Sequence, residues 1–376
     1  MRILTISNSY PYGNSNNFVF VKQLMDKFSE NGIEITVISP QSVTKQIFRK
    51  TIKRPYKVLI ETKHSNYTLY SPSIISFSNI PVLKQIASYL NTKAILKTIK
   101  KQKIDFDLIY AHFLNGPGTS AYKIYKKYNK PYFIALGESS FNFPKSDLIS
   151  KTLSNANGFI AVSNEIKERL KALDGNIPNN KIIVQSNGFD SELFYPINKQ
   201  DIRKKLMIDD ASFIVSFLGG FIERKGVLRL DQALDLINNP NIKAIFMGNG
   251  PENPNYKNII YKGTVLHKDI YKYLNASDIF VLPTINEGSC NAIIEAIACG
   301  LPVISSNAEF NDDILDDSYS IRINSMSVEE IKDSILTLYN NPNLRNKMSK
   351  KTLEASSHFN LNKRTKNIIK FIEQKL

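Results

Sequence analysis

The chain has 376 residues, 42% of them hydrophobic, and carries a formal net charge of +15. That length suits two domains with ordinary cores. The absence of any apolar run of about 18–20 residues excludes a membrane-spanning helix. The only cysteines, Cys290 and Cys299, and the lack of a C-x-x-C or His-rich pattern exclude a disulfide scaffold and a metal cluster.

The opening Met1–Ser7 is too short and strand-like for a signal peptide, and Ile3–Ile6 reads as a strand. A loop rich in Ser, Asn, Pro and Gly follows over Ser7–Asn17. Phe18, Val21, Leu24, Met25 and Phe28 then recur at helical spacing up to Asn31-Gly32, before a strand over Ile33–Ile38. This is a βαβ opening of an open α/β sheet. Residues 41–80 read as irregular, basic and rich in Tyr and Ser, with room for two strands. Pro81 starts a helix to about Lys103 with Val82, Ile86, Leu90, Ile95 and Ile99 as its apolar stripe. Strands are expected over Asp107–Ala111, Tyr132–Leu136, Gly158–Val162 and Lys181–Gln185, with Ser163 capping a helix over Glu165–Leu173.

Ser186–Asp190 closes this half, and a linker is expected near residues 188–205. The second half repeats the theme. Strands are expected over Phe213–Leu218, Ala244–Met247, Ile279–Leu282 and Val303–Ser305, with Ile259-Ile260 as a short apolar pair between the second and third. Helices are expected over Leu228–Ile237, residues 268–275 and from Ser327-capped Val328 onward.

The charge is unevenly spread. Residues 1–187 hold 26 Lys and Arg against 11 Asp and Glu, whereas the remainder is balanced. Lys45, Arg49, Lys50, Lys53, Arg54 and Lys57 crowd one segment; Lys93, Lys97, Lys100, Lys101 and Lys103 form another. Such asymmetry attracts an anionic membrane surface. Plain lysine-rich solubility is the alternative, and no nucleic-acid motif points to a nucleic-acid partner.

The most informative stretch runs from Glu287 to Val303, E-G-S-C-N-A-I-I-E-A-I-A-C-G-L-P-V. Two carboxylates stand on either side of a helix start. Helix N-termini favour diphosphates, and carboxylates accept bonds from sugar hydroxyls. A nucleotide-sugar carries both features. The second motif, Gly219-Gly220-Phe221-Ile222-Glu223-Arg224-Lys225-Gly226, joins a strand to a helix and brings two cations to the same kind of place.

Glu287, Glu295, Gly300, Pro302 and Val303 resemble the E-x7-E and G-x-P-V pattern of retaining glycosyltransferases of family 4, which have the GT-B fold. Lys225-Gly226 matches the end of that family's G-R-x-x-x-x-K-G, and Asn187-Gly188-Phe189-Asp190 its N-G-x-D. The resemblance implies an α/β, GT-B architecture of two Rossmann-like domains facing across a cleft. Residues 1–187 would bind the acceptor and 188–355 the nucleotide-sugar. Residues 356–376 would form a terminal helix crossing back to the first domain.

By the same resemblance, Glu287 contacts the donor hexose and Glu295 the ribose hydroxyls. Lys225 and Arg224, with Gly219 and Gly220, hold the diphosphate. Gly288, Ser289, Cys290, Asn291 and Ala292 line the helix start, and Gly13 stands in a second phosphate loop. His112, Glu138 and Ser139 lie on the acceptor side; His112 is the only one of four histidines in a motif context. The catalytic set is Glu287, Lys225 and His112. Two positions depart from the pattern: Gly220 where the family has arginine, and Leu136 where it has histidine.

The implied activity is metal-independent, cofactor-free transfer of a hexose-type sugar with retention. UDP ranks ahead of GDP as donor nucleotide, and a lipid-linked saccharide of bacterial surface polysaccharide is the acceptor. The implied location is cytoplasmic, peripheral on the inner face of the membrane. A catalytically silent saccharide-binding or scaffold partner and a nucleotide-sugar epimerase are the alternatives. Asp105-Phe106-Asp107 spells a D-x-D, but its place before a strand argues against a metal site.

Overall fold

Short runs of Ile, Val, Leu and Phe, each stopped by Gly, Asn, Ser or Pro, become the strands of two parallel sheets in the computed structural model. The structure describes residues 1–13, 18–49, 52–75, 81–138 and 146–376. It divides into two units: Met1–Gln185 with Thr365–Leu376, and Ser186–Arg364.

In the first unit the strands are β1 (Arg2–Ser7), β2 (Glu34–Ile38), β3 (Gln41–Ser42), β4 (Lys57–Glu61), β5 (Asn66–Tyr70), β6 (Ser73–Ile74), β7 (Leu108–His112), β8 (Tyr132–Leu136), β9 (Gly158–Ala161) and β10 (Ile182–Val184). Their main sheet runs β10-β9-β8-β7-β1-β2-β5-β4, with only the β4 edge antiparallel; β3 and β6 pair separately. Both faces are covered, so β1, β7, β8 and β9 are almost wholly buried. Ser163 caps its helix by accepting from the Ile166 N–H at 3.3 Å. On one face, Ile368, Phe371 and Ile372 of the terminal helix Leu361–Glu373 join Val21, Leu24 and Phe133 in a single core.

Two expectations need correcting here. The helix Pro81–Gln102 buries Ile95 and Ile99, but Ile86 is exposed. Ile86 and Ile95 lie nine residues apart, about two and a half turns, and therefore on opposite faces. Exposed Ile86, Tyr89, Lys93, Lys97 and Lys100 share the outer face. Arg54, grouped above with the solvent-facing cations, is buried. Its guanidinium donates to the carbonyls of Tyr10 (2.9 Å), Ser39 (2.8 Å) and Pro40 (3.3 Å), and burial lowers its pKa to about 10. Lys50 lies outside the described residues.

The second unit contains β11 (Phe213–Leu218), β12 (Ile242–Met247), β13 (Ile259–Gly263), β14 (Ile279–Leu282), β15 (Val303–Ser306) and β16 (Ser320–Ile323), all parallel in the order β13-β12-β11-β14-β15-β16. Chain order reverses between β11 and β14. Open sheets of this kind bind ligands beyond the carboxyl ends of the strands that flank such a reversal. Residues 199–205, expected to lie in a linker, instead belong to the helix Lys199–Leu206, whose cap Asn198 accepts from the Asp201 N–H at 3.1 Å. Ser327 caps Val328–Asn340 in the same way.

Candidate active site

The loops leaving β11 and β14 are laced together at the switch point. Ile285 N–H donates to the Arg224 carbonyl at 2.8 Å, and Thr284 Oγ1 lies 3.2 Å from the same oxygen. Gly226 makes this possible. It has φ +74°, and a Cβ there would stand 2.4 Å from the Pro283 carbonyl oxygen, so only glycine closes the turn.

Glu287 is the centre of the arrangement. Its side chain is 11% exposed, and one oxygen, Oε1, accepts from Arg224 Nη1 at 2.9 Å, from Thr284 Oγ1 at 2.8 Å and from Lys225 Nζ. Arg224 also donates to the Asn286 carbonyl. Two cations meet one carboxylate, which leaves an excess of positive charge beside the start of the helix Asn291–Ala298. Gly220, where a family arginine is missing, has room: a Cβ there meets nothing closer than 3.8 Å. Arg224 brings a guanidinium to the same loop from four residues further on.

The helix start is held from behind. Asn187 of the N-G-F-D turn donates its N–H to Ser289 Oγ at 3.2 Å and its side-chain amide to the Ser289 carbonyl at 3.3 Å. Cys290 caps the helix with its side chain in the core, and burial pushes its thiol up to about 11; any ligand contact there falls to the backbone. Gly288 is buried, while Asn291 and Ala292 are half-buried. Glu295, also buried, accepts from or donates to His267 Nε2 at 2.8 Å, according to the protons they share. Burial alone would lower the imidazole pKa. The bond to Glu295 and the charges of Glu295 and Asp190 outweigh it, and the pKa is raised.

Gly13, His112 and Glu138 belong to the first unit, around its own reversal between β1 and β7. Gly13 has φ +60° with open space about it. His112 ends β7 opposite Ser7, buried and packed 4.7 Å from the Phe113 ring and 5.6 Å from Phe20. Phe113 then takes φ +85°, a strained turn for a bulky residue. Glu138 braces that turn by accepting from the Leu114 N–H at 2.6 Å and the Gly137 N–H at 3.0 Å, while burial raises its pKa. Ser139 lies outside the described residues. Leu136 is fully buried in β8.

The D-x-D carboxylates are engaged by the chain's own start. Arg2 Nη2 and its N–H each reach Asp107 at 2.7 Å, the guanidinium also bridges to Asp105, and Arg2 holds the Asp107 pKa down at about 2. Sequence reasoning missed Thr284, His267 and Asp190 as members of these networks. Thr284 had a usable signal, a polar residue just past a strand at a switch point. His267 had none, since only the packing of β13's exit against the helix brings it to Glu295.

Two Rossmann-like sheets, and in the second a helix start flanked by carboxylates, are the features of the GT-B glycosyltransferases. Comparison with known proteins agrees: residues 18–193 match the Glycosyltransferase Family 4 model and residues 198–355 the Glycosyl transferases group 1 model, and the chain belongs to that family. A Bacillus subtilis glycosyltransferase named for teichuronic acid biosynthesis, TuaC, is 28% identical over 82% of this chain and 81% of its own. The N,N'-diacetylbacillosaminyl-diphospho-undecaprenol alpha-1,3-N-acetylgalactosaminyltransferase of Campylobacter jejuni is 24% identical over 71% of this chain and 76% of its own. Among solved structures, Anabaena Alr3699/HepE in complex with UDP superposes with a TM-score of 0.74 at 17% identity, covering 100% of both chains. Several relatives of this chain are bacterial glycosyltransferases of polysaccharide and glycolipid biosynthesis.

Proposed function

We propose that the chain transfers a hexose-type sugar, with retention, from a UDP-sugar to a lipid-linked saccharide acceptor in bacterial surface polysaccharide assembly, with GDP as the second-ranked donor nucleotide. The observation that carries this reading is the Glu287 carboxylate under Arg224, Lys225 and Thr284 at the switch point. A solved likeness in complex with UDP and a relative named for a diphospho-undecaprenol substrate support the donor and acceptor classes.

In this reading Lys225 and Arg224, with the N–H groups at the start of Asn291–Ala298, neutralise the departing diphosphate, which makes a metal unnecessary. Their hold on Oε1 fixes Glu287 so that the carboxylate orients the hexose hydroxyls. Glu295 takes the ribose. The acceptor hydroxyl attacks from the face the nucleotide leaves and passes its proton to the departing phosphate, so no side chain is needed as general base. The first unit takes the acceptor, with His112 at the end of β7.

The exposed face Ile86, Tyr89, Lys93, Lys97 and Lys100, apolar at one end and basic along the rest, supports docking on anionic lipid. Among the described residues no helix is long and apolar enough to cross a membrane, so the proposed attachment is peripheral, on the cytoplasmic face.

The test is transfer of radiolabelled sugar from UDP-hexoses to a bacterial membrane extract, with and without EDTA. Label in the lipid fraction, undiminished by EDTA, is expected. Nucleotide binding without transfer would favour the silent-partner reading suggested by Gly220 and Leu136. An altered nucleotide-sugar without transfer would favour an epimerase.

A further inference from the structure

We propose that His267 is a positioning residue for donor binding: its imidazole holds the Glu295 carboxylate in the orientation that receives the ribose hydroxyls. The inference rests on the ribose role given to Glu295 above. Glu295 is a long side chain on a helix of eight residues, Asn291–Ala298, and it has several rotors to fix. The bond from His267 Nε2 to Oε1 at 2.8 Å fixes them. A carboxylate has about four lone-pair sites, so one bond to the imidazole leaves capacity for both hydroxyls of a ribose.

The imidazole is itself held. It sits in the turn His267–Asp269 beyond β13, with the Phe194 ring edge-on at a centroid distance of 5.3 Å. Asp190, the aspartate of the N-G-F-D turn, acts on it electrostatically from another element. The carboxylates that act on it are Glu295 from the helix and Asp190 from the turn, while Lys268 and Asp269 follow it in its own segment and Asp269 is bound to Lys272. The Cys299 thiol at the helix end is kept neutral by burial and by Glu295. Three separate stretches of sequence therefore meet at one imidazole–carboxylate pair, whose carboxylate is the one the donor reading needs most rigid.

Protonation strengthens the clamp, because a bond between two charged groups is stronger than one to a neutral imidazole. The imidazole's pKa is raised above its ordinary value of 6.5. The charged clamp is therefore complete below that value and is lost as pH rises through the raised one.

The ribose can be read directly by comparing UDP with 2′-deoxy-UDP in calorimetric titrations of the full chain, across pH 6–9, for wild type, His267→Ala and His267→Gln. Wild type is expected to prefer UDP by roughly tenfold, the worth of one good hydrogen bond to a charged group. His267→Ala should reduce the preference to about twofold or less, as expected when that bond loses its geometry. His267→Gln, which keeps a neutral donor near the Nε2 position, should restore much of the preference but remove its decline at high pH. A purely structural histidine would weaken both ligands alike. An unchanged preference in His267→Ala, or a glutamine variant with wild-type pH dependence, overturns the proposal. Should wild type bind GDP instead, the same ratio is measured with 2′-deoxy-GDP. Binding of neither nucleotide sinks the donor reading itself and this inference with it.

Discussion

Both units open their sheets in the same way, with β1 and β7 in the first and β11 and β14 in the second flanking a reversal of strand order. What stands at the two reversals differs. In the second unit the loops carry Arg224, Lys225 and Glu287 in mutual contact. Around the first stand asparagines and aromatics: Asn91 of the helix Pro81–Gln102 donates to Asn8 at 2.7 Å, His112 at the end of β7 lies among rings, and Glu138 beyond β8 accepts from backbone N–H groups. The excess charge of the first unit is elsewhere, on exposed lysines. Net charge therefore locates surfaces and not catalytic centres, and one topology carries two chemistries by changing only the loops.

The sharpest way to break this contrast is Lys225→Ala. On the proposed function this removes a charge that steadies the leaving diphosphate and should reduce turnover roughly 10²–10³-fold. Steady-state rates, with thermal melting as a control for folding, check it; near wild-type turnover would remove the second reversal from catalysis.

Arg54→Met tests the opposite assignment, a first-unit cation that serves the fold. It leaves the Tyr10 and Ser39 carbonyls without their donor and should cost about 1–3 kcal/mol in urea unfolding. Its effect on donor binding should be nil.

Gly220→Arg sharpens the picture with the smallest effect. The site has room, and Arg224 already supplies a guanidinium, so a gain in UDP affinity of only about threefold is expected, less than one full hydrogen bond. A gain of a hundredfold would mean that Arg224 does not cover the missing arginine.

Much of the architecture was legible in the chain. Phe213–Leu218 and Ile279–Leu282 were found to the residue because buried parallel strands are uninterrupted apolar runs. The two glutamates and Lys225 were legible because their spacing repeats a known pattern. The misreadings have physical causes. Ile86 was placed on the buried stripe of Pro81–Gln102 because that helix carries apolar residues on its outer face as well as its inner one. Arg54 looked like its exposed neighbours because nothing local distinguishes a cation that turns inward to carbonyls. His267 became visible only when tertiary packing set it against Glu295.

Cys290 and Cys299 close the two ends of one helix with both thiols buried, and burial holds the first at about 11 and the second higher still. Thiolate is the form that reacts with alkylating reagents, so both native sulfurs should stay silent at neutral pH. The chain is in effect already a blank background for site-directed labelling. A single cysteine introduced at an exposed position such as Met326 can carry a fluorophore without first removing the native pair.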